Sequence, residues 1–192
     1  MKLSQIAVLV IVLLISPSVL SQQHRSDIRS LDFANFTYPW TADLLDPTNP
    51  KKTFTLRNGE LPATHDKRGF IDEMGVFLQG IKYGDVTGDG VEEAIVSLSI
   101  LTGGSARPGI IYIYALQKGR PVLLWSHSTG DRADGGLRDV YAENGQLVVE
   151  LYSSVGSRGD CCPSRFTRTH YEWREGHFRQ KRKETLPVPG SR

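Results

Sequence analysis

Ile110-Ile-Tyr-Ile-Tyr-Ala-Leu-Gln-Lys-Gly119 is the stretch whose reading decides the fold: an apolar, β-branched and aromatic run that stops at a two-residue turn signal. The same ending recurs. Thr53 to Leu56 leads into Asn58-Gly59, Leu137 to Ala142 into Asn144-Gly145, and Thr167 to Trp173 into Glu175-Gly176. Each is a hairpin signature, because the glycine accepts the positive φ that tight hairpin turns demand. The runs alternate with period two: Leu147, Val149 and Leu151 share one face, Tyr171 and Trp173 share another, and Val96, Leu98 and Ile100 oppose Ser97 and Ser99. The pattern predicts a mainly β domain, an antiparallel meander forming a curled sheet, a half-barrel or a two-layer sandwich. The chain is too short for a full propeller. Helical spacing is confined to two short candidates, Thr41 to Leu45 and Asp72 to Phe77.

The ends of the chain read differently. Lys2 precedes an apolar core from Ile6 to Ile15, and Ser16-Pro-Ser-Val-Leu-Ser21 then places small residues where a signal peptidase cuts. This predicts a signal peptide over residues 1–21, with export to the periplasm or the medium. The site has no cysteine for a lipid anchor, so the expected product is soluble, without stable membrane insertion. Roughly 170 residues then remain, enough for one domain with a real core. Residues 22–50, rich in Ser, Asp, Pro and Thr, are expected to lie as an arm over a β domain spanning 51–181, with a disordered tail at 182–192. A formal charge of +2 over 192 residues creates no field favouring nucleic acid. The single basic run, Arg179-Gln-Lys-Arg-Lys183, lacks the interleaved aromatics of a nucleic-acid surface. A monomer is expected.

The most specific chemical signal is Asp85-Val-Thr-Gly-Asp-Gly-Val-Glu-Glu-Ala-Ile-Val96. Asp85, Thr87 and Asp89 place oxygens at alternate positions, Gly90 permits a sharp turn, Val91 can add its carbonyl, and Glu93 closes the loop with a carboxylate. That pattern points to calcium. The competing reading is a glycine-rich turn whose aspartates cap backbone amides. The segment resembles the FG-GAP and VCBS-type calcium loops, in which a strand follows the loop and the closing acid comes at the ninth position. Thr87 stands where those loops usually carry Asn or Asp, and a hydroxyl is the weaker ligand.

Other polar clusters offer alternatives. Ser128-Thr-Gly-Asp-Arg-Ala-Asp-Gly-Gly-Leu137 gathers Asp131, Arg132 and Asp134, and paired carboxylates can do acid–base work, so Asp131 and Asp134 are the acids of an alternative hydrolase reading. Thr102-Gly-Gly-Ser-Ala106 can offer a hydroxyl and backbone amides to an anion, although it lacks the spacing of a nucleophile elbow. Cys161 and Cys162, the two cysteines of the chain, are neighbours and cannot staple distant strands. They can form a strained vicinal disulfide, stay reduced or pair with another molecule, which supports a second alternative, a thiol–disulfide protein.

The run Asp32-Phe-Ala-Asn-Phe-Thr-Tyr-Pro-Trp40, the Tyr83 to Gly90 loop, Thr129 to Leu137, and Cys161-Cys-Pro-Ser164 with a following Tyr-x-Trp together resemble a group of exported bacterial proteins of unassigned function. They are similar, more loosely, to the LppP/LprE-type envelope lipoproteins, whose lipidated cysteine this chain lacks. The resemblance implies a secreted or periplasmic domain that binds an envelope or extracellular ligand without catalysis.

Overall fold

The computed structural model describes residues 27–40, 53–156 and 161–190. Among them, two single 3₁₀ turns, Ile28–Ser30 and Phe33–Asn35, precede thirteen strands. The short ones come first: β1 (Thr37–Pro39), β2 (Thr53–Thr55), β3 (Glu60–Leu61), β4 (Thr64–His65) and β5 (Ile71–Glu73). The long ones follow: β6 (Gly75–Gly84), β7 (Glu93–Leu101), β8 (Gly109–Gln117), β9 (Arg120–Thr129), β10 (Leu137–Glu143), β11 (Gln146–Ser153), β12 (Arg165–Arg174) and β13 (His177–Pro187). They build a five-stranded sheet ordered β3-β6-β7-β8-β9 and a four-stranded sheet ordered β10-β11-β12-β13, with every pairing antiparallel. The mainly β expectation holds, in its two-layer form and with no sheet closed into a barrel.

Local chemistry explains the meander. At Asn58-Gly59, Lys118-Gly119, Asn144-Gly145 and Glu175-Gly176 both residues of the turn have positive φ, between 51° and 84°. That is the mirror-image turn whose twist matches the strands it joins. Three of the four close long hairpins. The first closes only a lone Arg57–Glu60 bridge at the start of β3, while β2 pairs with β1, Tyr38 opposite Phe54.

Each face of the five-stranded sheet is covered by a different layer. Ile95, Ile111 and Ile113 pack on Val140, Leu147 and Val149 of the second sheet. Val96, Leu98, Ile100, Ile110, Tyr112 and Tyr114 point the other way and meet Ile28, Phe33, Tyr38, Phe54 and Leu56. The described part of the expected arm, residues 27–40, therefore contributes side chains to the core. Phe33 and Tyr38 are 1% and 0% exposed, and Tyr38 sends its hydroxyl to the Phe33 carbonyl at 2.6 Å. Burying such a side chain contributes roughly 1.5–3 kcal/mol, which outweighs the polar composition around it.

Two further expectations are corrected. Asp72 to Phe77 is strand, split between β5 and β6, because Met74, Val76 and Leu78 recur with period two and β6 pairs along its length with β7. Residues 182–187 of the expected tail are the second half of β13, which runs to Pro187 and pairs with β12 from Arg174↔His177 to Arg165↔Pro187. Its run of charges suits an exposed edge strand. The expected signal peptide and the Thr41 to Leu45 candidate lie outside the described residues. No helix among the described residues is long and apolar enough to cross a membrane.

Candidate functional sites

The Asp85 to Glu93 loop joins β6 to β7, and its acids take different positions. Glu93, the first residue of β7, is 2% exposed and accepts from the Val86 amide at 3.0 Å and the Thr87 hydroxyl at 3.4 Å. Burial, with Asp89 and Asp85 nearby, pushes its carboxyl up to about 7. Asp85 accepts from the amides of Gly88 at 2.6 Å and Gly90 at 3.0 Å, and Asp89 from that of Val91 at 2.8 Å. These are the amide caps of a glycine-rich turn. Val91 is exposed at the tip. Among the described residues no three His, Cys, Asp or Glu side chains form a group that could hold a metal ion.

The two glycine-rich stretches that looked unrelated in sequence meet in space. Asp131 accepts from the Arg107 amide at 2.7 Å and from Arg132 Nε at 2.8 Å, while Arg132 Nη2 reaches the Ser105 hydroxyl at 3.5 Å. The 130–136 turn is tight because the Gly130 and Asp131 amides bond to the Gly135 and Asp134 carbonyls, and a Cβ on Gly130 would strike the Asp134 carbonyl. Together the two loops wall a cavity of about 210 Å³ with Gln79, Thr129 and Tyr152. Asp131 lines it and Asp134 does not. The two aspartates pair backbone to backbone across the bridge that closes the 130–136 turn, and only Asp131 belongs to the cavity wall.

The cavity is the open end of a cleft between β6 and β10. Each of these strands carries a bulge, at Leu78/Gly80 and at Leu137/Asp139. A bulge re-aims the extra side chain, and here the extra residues, Gln79 and Arg138, both line the cleft. A second cavity of about 340 Å³ continues along it past Lys82, Ser97 and Asp139. The Lys82–Asp139 ion pair spans the middle. At the far end the strands close: a Cβ on Gly84 would lie 2.5 Å from that of Ala142. No motif announced this cleft in the sequence, since bulges leave no local signature in such strands.

Outside the cleft, on the opposite face of the four-stranded sheet, Glu150 is 2% exposed and is held by Arg138, by Arg168 Nε at 2.7 Å and by the Tyr141 hydroxyl at 3.2 Å. Its charge is satisfied, and the arrangement reads as structural. Cys161 and Cys162 are exposed free thiols that touch one another, and the hydrogen bond and charge of Cys161 raise the pKa of Cys162. A high thiol pKa weakens a nucleophile. Comparison with protein-family models, with curated proteins and with solved structures finds no match for the chain.

Proposed function

We propose that this protein is an extracytoplasmic, non-catalytic binding domain whose Asp85 to Glu93 loop holds a calcium ion that stiffens the entry to β7. The observation that supports it is Glu93: a carboxylate buried at the base of the loop, beneath a turn that carries two more acids. A hard cation answers that arrangement, since calcium takes six to eight oxygens. The carboxylates of Asp85, Asp89 and Glu93, the Thr87 hydroxyl and the Val91 carbonyl would supply five once the two aspartates turn from the amides they cap toward the ion, and water completes the shell. Asp89 uses only Oδ1 for its cap, and it gives the middle of the loop its charged ligand. The N-terminal apolar run supports export, and the engagement of the Asp131 carboxylate by the Arg107 amide and Arg132 Nε favours a structural role for it over acid–base work.

Thermal unfolding with and without calcium tests this reading. At about one hundred times its dissociation constant, a ligand confined to the native state adds about 2.7 kcal/mol, and chelation removes it. Asp89→Ala abolishes the calcium-dependent gain, while its metal-free stability falls by only about 1 kcal/mol for the lost cap to Val91. Equal shifts in both proteins, or none in either, refute the calcium site.

A further inference from the structure

The β6–β10 cleft has three properties that converge on one kind of ligand, independently of whether the loop above it holds calcium. Both walls are strand edges: β3 pairs with β6 only through Phe77 and Val76, so among the described residues the segment from Gln79 to Lys82 has no hydrogen-bonded strand on its outer side, and β10 ends its sheet. Unpaired edge amides and carbonyls are templates for another extended chain. The lining also carries more cations than anions, with Arg107, Arg132 and Lys82 against Asp131 and Asp139, while the Arg138 guanidinium is turned away to Glu150. Asp131 and Asp139 are already engaged, by Arg132 and by Lys82, whereas the exposed Arg107 guanidinium has only the Gly104 and Ala106 carbonyls and no carboxylate partner among the described residues. Finally, the two cavities share Gln79 and Leu137, so the space continues along the strands as an extended ligand requires.

We infer that the cleft binds an acidic polypeptide segment in extended conformation, which pairs its backbone with the β6 edge and sets a carboxylate against Arg107 at the open end. The other basic edge of the molecule is the competitor. On β13, however, Arg179 pairs with Glu175, Lys181 with Glu172 and Arg182 with Glu184, so its cations are largely spoken for. Lysines on an edge also discourage strand addition.

The probe is a fluorescein-labelled octapeptide of alternating glutamate and valine, titrated at low ionic strength by anisotropy, with amide chemical shifts mapping its position. Saturable binding with shifts clustered at Gln79 to Lys82 and Leu137 to Asp139 is the expected result. Arg107→Glu, an exposed position whose reversal leaves the fold intact, weakens binding about tenfold or more, whereas Lys183→Glu on β13 leaves it unchanged. A peptide N-methylated at alternate residues, which keeps the charge and removes backbone donors, loses affinity. Several outcomes overturn the proposal: no saturable binding up to millimolar peptide, shifts centred on β13, equal affinity for the N-methylated peptide, or an oligogalacturonate that binds the cleft more tightly than the peptide. The third reduces the cleft to an anion site, and the last assigns it to an acidic glycan.

Discussion

The two long seams of the sandwich solve the same problem with opposite chemistry. Where the edges of β9 and β13 approach, aromatic rings fill the gap: Trp125 lies 5.4 Å from Tyr171 and 5.7 Å from Phe178, Phe178 lies 4.8 Å from Trp173, and His127 stacks on Trp125 at 5.1 Å and 3°. Where β6 and β10 approach, a glycine contact closes one end, an exposed ion pair bridges the middle and the remainder stays open. An ion pair of that kind contributes at most about 1 kcal/mol. Dispersion and area burial hold the first seam, and little holds the second beyond backbone geometry. A β-sandwich can thus be stabilised along one side and left available for ligand along the other.

The largest expected effect comes from emptying the filled seam. Trp125→Ala removes the ring on which Tyr171, Phe178 and His127 all pack, and should cost about 3 kcal/mol in denaturant unfolding at unchanged m-value. A loss below about 1 kcal/mol would show that the aromatic seam is ornamental and remove the contrast. A smaller loss, about 1–3 kcal/mol, is expected from Gly84→Ala, which sets a methyl group against Ala142 where the open seam pinches shut. The double variant Gly84→Ala, Ala142→Gly relieves that contact and should recover part of the loss. Failure to recover any of it would mean that Gly84 matters for some reason other than the approach of the two strands.

The smallest effect is on pH dependence. Burial lowers the pKa of His127 from its usual 6.5. The unfolded chain therefore binds a proton that the folded one refuses, so stability is full above about pH 6.5 and declines as pH falls below it. His127→Phe keeps the stack on Trp125 and should flatten that acid limb. An unchanged limb assigns it to other groups, and an NMR titration of His127 near 6.5 or above contradicts the buried environment directly.

Much of this architecture is legible from one residue to the next. The four positive-φ turns are visible as Asn-Gly, Lys-Gly and Glu-Gly because the requirement is local steric freedom, and period-two alternation reports which strand faces are wet. The Asp85 to Glu93 loop was equally legible as a turn rich in oxygen ligands, though its carboxylates also cap amides, a use that shares the same spelling. The segment around Phe33 and Tyr38 was misread for a physical reason. Its local composition is polar, and only the apolar face of β7 and β8, more than fifty residues further on, makes its aromatics core.

Sequence by itself determined the class: strand periodicity, turn positions and the exchange of apolar for polar faces follow from backbone sterics and from the cost of burying unpaired polar groups. Tertiary structure alone decided which strand is an edge, where the bulges fall and which loops meet. Arg107 and Arg132 are 25 residues apart in the chain, and Gln79 faces Leu137 across a gap between two sheets. Such contacts depend on register and sheet packing, set by the summed burial of two distant cores rather than by any residue's neighbours, so the open cleft exists only once both sheets have formed.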